Sequence, residues 1–112
     1  MAKRKPKKLS REALEKVADV FKAFSEPTRL QIIQELKDGP KSVSELVEAL
    51  GTSQANVSKQ LRTLYDAEIL RKTKEGTMVF YSIDDEIVFP LCELVCEKLN
   101  QQQRRAHEDY SI

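Results

Sequence analysis

A mainly helical chain with one small β-hairpin, ordered α-α-α-α-β-β-α, is what this sequence predicts, and three observations carry the prediction. Apolar residues recur at helical spacing in five stretches; residues 42–62 read as two short capped helices around a tight turn; and residues 69–83 switch to alternation about Glu75-Gly76. Two helices and a hairpin in this order outline a winged helix-turn-helix, a shape that sets one helix into a DNA groove.

The first helix starts at the cap Ser10 and runs to about Phe24, with Leu14, Val17, Ala18 and Phe21 on one stripe. Ser25-Glu26-Pro27 opens the second, because proline suits a first helical turn and an acid suits the positive end of the helix dipole. Leu30, Ile33 and Leu36 form its core face, Gly39-Pro40 stops it, and Arg29 reads as a structural residue on its solvent side. In the third helix Ser42 and Glu45 are spaced as a capping box, and Leu46, Val47 and Leu50 make the apolar stripe. Gly51 supplies the left-handed stop, and Thr52 or Ser53 caps the fourth helix. There Val57, Leu61 and Leu64 face inward and leave Gln54, Ser58, Lys59 and Arg62 on an outer face that has no carboxylate before Asp66.

In the hairpin, Val79, Tyr81 and Ile83 alternate with Met78, Phe80 and Ser82, so one face packs on the helices. Arg71, Lys72 and Lys74 are expected toward its tip, where long cations reach phosphates or a minor groove. Residues 85 to about 103 form the last helix, with Pro90 either dividing off its first turn or fixing where its regular part begins. Its stripe of Val88, Leu91, Cys92, Val95, Cys96 and Leu99 is wide enough to need a partner surface, and with the first helix it suits a twofold dimer interface.

Composition sets the outer limits. A chain of 112 residues, 40% of them hydrophobic, supports one small core. We divide it into a basic disordered arm at 1–9, a dimeric domain at 10–103 and a polar, fraying tail at 104–112. No apolar run suggests a membrane span or a signal peptide, and two close cysteines make no disulfide framework, so a cytoplasmic protein is expected. The net charge of +1 hides a polarity: residues 1–11 carry Lys3, Arg4, Lys5, Lys7, Lys8 and Arg11 without an acid, whereas residues 84–112 hold seven acids against three bases. The arm can add phosphate contacts beside the wing. One histidine, His107 in the tail, and no clustered carboxylates or phosphate-binding glycines leave no catalytic constellation, so no enzyme is expected. A winged helix used only as a protein-interaction module, without direct DNA binding, is the alternative these residues leave open.

Three motifs in order, Phe24-Ser-Glu-Pro-Thr-Arg-Leu-Gln-Ile-Ile-Gln-Glu-Leu36, Ser53-Gln-Ala-Asn-Val-Ser-Lys-Gln-Leu61 and Gly76-Thr-Met-Val-Phe-Tyr-Ser-Ile83, resemble the ArsR/SmtB family of bacterial repressors over roughly residues 18–100. The resemblance implies a homodimer that sits on double-stranded operator DNA and leaves it when an effector arrives. It implies that the helix beginning at Ser53-Gln54 reads the DNA, through the positions of Gln54, Ala55, Ser58 and Lys59. Ser53 joins that set, and Arg62, Arg71, Lys72 and Lys74 are expected on the backbone.

The same resemblance tests for effector sites. Cysteines that bind soft ions in metal-sensing relatives match Ser42 and Ser44 here, and hydroxyls do not replace thiolates. A reactive-sulfur cysteine matches Val47, and a zinc set on the last helix matches Asp85, Ile87, Lys98 and Gln101, of which only the acid suits a metal. None of these metal sites is expected. Cys92 and Cys96 remain, at the i, i+4 spacing that puts both sulfurs on one helix face. A twofold axis would gather four thiols for a thiophilic metal or metalloid ion, or for reactive sulfur species, and plain packing of small hydrophobes is the competing role.

Overall fold

The computed structural model describes residues 7–102 and 109–112. Most of the arm and tail expectations, His107 included, therefore lie outside the described residues. The element order is α1 (Arg11–Ala23), α2 (Pro27–Leu36), β1 (Lys41–Ser42), α3 (Val43–Leu50), α4 (Gln54–Asp66), β2 (Leu70–Glu75), β3 (Met78–Ile83) and α5 (Val88–Gln102). The mainly helical winged fold is as the sequence predicts, with one addition. Lys41 and Ser42 pair with Tyr81 and Phe80, so the sheet has three antiparallel strands in the order β1-β3-β2 rather than two. A two-residue strand has no period to read, which is why it escapes sequence inspection.

The helix starts are locally encoded. Ser10 Oγ accepts from the Ala13 amide at 3.1 Å, and Ser53 Oγ from the Asn56 amide at 3.1 Å. Around α3 the capping box closes both ways: the Glu45 amide donates to Ser42 Oγ, and the Ser42 amide to the Glu45 carboxylate. Gly51, at φ 69°, ends α3 in the left-handed conformation that glycine adopts without strain. Before Pro27, the Glu26 carboxylate accepts from the amides of Thr28 and Arg29 at 3.0 and 3.1 Å. The Thr28 amide above all holds its pKa below the ordinary value, and the Ser42 amide does the same for Glu45.

Packing gathers α2, α3, α4 and β3 around one core. Ile32, Ile33, Leu46, Val57, Leu61 and Leu64 are fully buried. Leu30, expected inside, is only half-buried, while Ile32 takes a central place because α2 is covered by α3, α4 and β3 on several sides. By contrast α1 joins the core through Ala23 at its end, and α5 through Val88 and Cys92 near its start. Their remaining apolar residues stay open: Leu14, Val17, Val20 and Phe21 on α1, then Ile87 before α5 and Leu94 and Val95 on it, are 42–64% exposed.

Two details depart from the sequence reading. α5 begins at Val88, not Asp85, because Asp85 forms a turn by accepting from the Ile87 amide at 3.0 Å; Pro90 then falls in the first helical turn, where its missing N–H costs nothing. The other concerns the described end of the tail, residues 109–112. Asn100 brackets Tyr110 with two hydrogen bonds of 2.8 and 3.1 Å, and Ile112 packs against the core cluster.

The end of α4 carries local strain. Glu68 has φ 62°, while the Ile69 amide closes back on the Leu64 carbonyl at 3.0 Å, a helix stop normally built on glycine. Glu68→Gly removes a left-handed penalty of about 1–2 kcal/mol and returns about 0.5–1 through the freer unfolded chain, so urea unfolding is expected to show a net gain of about 0.5–1 kcal/mol. Glu26→Ala is expected to cost about 1 kcal/mol at pH 7. A carboxylate with a lowered pKa stabilises the fold above its ordinary pKa and loses that effect as pH falls through the lowered value, so the gap between Glu26→Ala and the parent narrows in melts taken at successively more acid pH.

Candidate nucleic-acid interface

Helix α4 has two unlike faces. Val57, Gln60, Leu61 and Leu64 point into the body, and Ser53, Gln54, Ala55, Ser58, Lys59 and Arg62 are all exposed at or along the opposite side. These are the residues the sequence nominates for DNA contact, gathered on one surface. The turn from Gly51 to Ser53 fixes where that surface starts.

The wing is tied to this helix. Lys72 Nζ lies 4.0 Å from the centre of the Tyr65 ring and 6.0 Å from that of Tyr81, so a cation of β2 rests on an aromatic from the last turn of α4. Register corrects the placement of the wing cations. Arg71 pairs with Ser82 and Lys72 with Tyr81 in the lower half of the hairpin, and only Lys74, opposite Val79, stands near the tip at Gly76-Thr77. Arg71 is bound to Asp84 at 2.6 Å and Arg62 to Asp66 at 3.7 Å, both exposed pairs of small energetic weight. These cations carry neighbours that compete with phosphate.

A polar chain missed by the sequence reading runs behind α4. Arg29 is not on the solvent side of α2. Its Nε donates to the Ala23 carbonyl at 2.8 Å, one Nη to the Lys22 carbonyl at 3.0 Å, and the other to Gln60 Oε1 at 2.7 Å. Gln60 Nε2 donates to Asn56 Oδ1 at 3.1 Å, and Asn56 Nδ2 to Thr52 Oγ1 at 3.2 Å. The one visible hint is Gln60 itself, a polar residue beside Leu61 on the apolar side of α4.

The thiols face inward. Cys92 and Cys96 are buried, following Val88 at four-residue steps, whereas exposed Leu94 is two residues from Cys92 and so turns to the far side. Within one chain the sulfurs thus lie on the side of α5 that packs on its own core. They line a cavity of about 330 Å³ with Phe21, Phe24, Leu91 and Val95 among its walls. Desolvation, with Cys96 beside it, pushes the Cys92 thiol above its ordinary pKa, away from reactive thiolate. Ser42 and Ser44 hydroxyls lie 3.2 Å apart, and Ser42 Oγ is already used as the α3 cap. Among the described residues no group of three or more histidine, cysteine or acidic side chains converges, and no helix is long and apolar enough to cross a membrane.

This geometry has relatives. The family model for bacterial regulatory proteins of the arsR family matches residues 26–72, from the cap of α2 into β2. An HTH-type transcriptional regulator of Methanocaldococcus jannaschii is 40% identical over 87 residues, which span 77% of this chain and 98% of that one. The chain belongs to the arsR family. The arsenical resistance operon repressor of Bacillus subtilis is 36% identical over 88 residues, covering 76% of this arsR-family chain and 84% of the repressor. In three dimensions, the homodimeric winged helix-turn-helix DNA-binding domain of Mycobacterium bovis superposes with a TM-score of 0.75 at 30% identity, over 92% of this chain and 97% of that domain. This member of the arsR family is a winged-helix, DNA-binding transcriptional regulator.

Burial of both thiols predicts a simple chemical result. Alkylation of Cys92 and Cys96 by a neutral maleimide at pH 7 is expected to be at least tenfold slower in the native protein than in urea, measured by mass spectrometry over time.

Proposed function

We propose that the chain is a cytoplasmic dimeric repressor in which two copies of α4 read an operator and two wings hold its backbone. The observation that carries this reading is the exposed face of α4, where hydrogen-bonding side chains and Lys59 stand together while the opposite face is built into the core. Gln54, Ser58 and Lys59 then meet base edges or adjacent phosphates, and Ser53 and Ala55 lie against the groove at the helix start. Lys74 reaches the backbone from the wing tip. Arg62, Arg71 and Lys72 reach it by exchanging Asp66, Asp84 and the Tyr65 ring for phosphate.

Two copies follow from the open apolar faces of α1 and α5, which together leave seven large hydrophobic side chains exposed on or beside two helices. The homodimeric state of the Mycobacterium bovis domain supports the same assembly. Cys92 and Cys96 act as packing residues in this reading. Release by a thiophilic ion, suggested by the name of the arsenical repressor, would require the ion to reach buried thiols through the cavity that Cys92 and Cys96 line.

The division of labour is testable on a duplex selected from a random pool. Gln54→Ala is expected to lower affinity for the selected duplex about tenfold or more and leave a scrambled duplex unchanged, since a good base contact discriminates by about 1–3 kcal/mol. Lys74→Ala weakens both equally and shallows the slope of log affinity against log salt by up to about one per protomer. Equal loss on both duplexes for Gln54→Ala counts against base reading, and no salt-dependent binding by the parent protein favours an interaction module.

A further inference from the structure

We propose that Arg29 and Gln60 are positioning residues for DNA reading, acting through the Arg29–Gln60–Asn56–Thr52 hydrogen-bond chain. The inference rests on α4 being the helix that meets DNA. A guanidinium has donors and no acceptor, so Gln60 must turn its oxygen toward Arg29. Its nitrogen is thereby aimed at Asn56 Oδ1, which leaves the Asn56 nitrogen facing Thr52 Oγ1. The direction of every bond is dictated from one end. At the other end Thr52 Oγ1 accepts, so its own proton points out of the chain, at the turn that leads into α4.

That proton is a donor placed where a backbone phosphate runs past a helix start. Asn56 and Thr52 stand four residues apart and are both half-buried, so the bond between them fixes the turn against the first helical turn. Gln60 is 7% exposed, and among the described residues no buried side-chain nitrogen or oxygen lacks a partner. Removing one member leaves the next unsatisfied or free to turn.

Arg29 also binds the last carbonyls of α1, the helix that carries half of the open apolar face. One side chain thus sets the angle between that face and α4. With 13 residues α4 is about 20 Å long, and a tilt of about 10° carries its far end about 3.4 Å, the rise of one base pair. Base reading fails over that distance, while attraction to phosphate hardly changes.

The test uses the full chain, a duplex selected by the parent protein from a random pool, and a scrambled duplex, each titrated over a salt series beside a thermal melt. Gln60→Leu, which removes both bonds at similar volume, is expected to lower the ratio of selected to scrambled affinity at least tenfold with the salt slope unchanged. Gln60→Glu keeps the acceptor for Arg29 and loses the donor to Asn56, so it keeps the melting midpoint and lowers the ratio about threefold. Thr52→Val weakens both duplexes about threefold. A folded Gln60→Leu protein with the parent ratio overturns the inference; if that variant does not fold, a parent ratio in Gln60→Glu overturns it. A parent protein with no preference between duplexes overturns the reading of α4 itself, and the two failures are told apart by that control.

Discussion

Where α1, α2 and α4 converge, the Arg29 guanidinium binds two carbonyls from the end of α1 and the side chain of Gln60 in α4. Hydrophobic burial alone is non-directional, and Ile32, Ile33, Leu61 and Leu64 would accept several relative rotations of these helices at similar cost. The planar fork of arginine does not, because its donors leave in fixed directions. Apolar contact supplies most of the cohesion here, and this one polar junction selects among the packings that cohesion allows. A buried glutamine on the inner face of α4 is tolerated for that reason.

The wing repeats the logic with weaker parts. Lys72 lies over Tyr65, and β3 is held between β1 and β2, so the hairpin cannot swing independently of α3 and α4. The stack and the exposed pairs of Arg71 and Arg62 are individually slight and easily surrendered to a stronger anion. Cations kept in place by weak neighbours are ordered before DNA arrives, which limits the side-chain entropy lost on contact.

Local chemistry was legible in the sequence, and distant chemistry was not. Ser10, Ser42, Ser53, Gly51 and Pro27 act on residues within one helical turn, so spacing alone reveals caps, stops and the exposed face of α4. Arg29 and Gln60 lie 31 residues apart, and nothing in either neighbourhood announces the bond. Glu68 hides a helix stop because it occupies a conformation that usually advertises itself as glycine. The stripe of α5 was visible as apolar, but periodicity does not say which part of a broad stripe meets the protein's own core. Burial of Cys92 and Cys96, with Leu94 and Val95 left open, is decided by the tertiary fold.

The two open faces lie on helices separated in the chain by the entire reading unit, from Ala23 to Val88. A ribosome adding roughly 5–20 residues per second makes α1 and then needs roughly 3–13 seconds before α5 starts to emerge. During that interval α1 exposes Leu14, Val17, Val20 and Phe21 before α5, which carries Leu94 and Val95, has been made. In the dimer proposed above, pairing of copies would be postponed until synthesis has passed the wing, and a nascent chain would complete the proposed DNA-reading parts before the faces proposed to meet another copy.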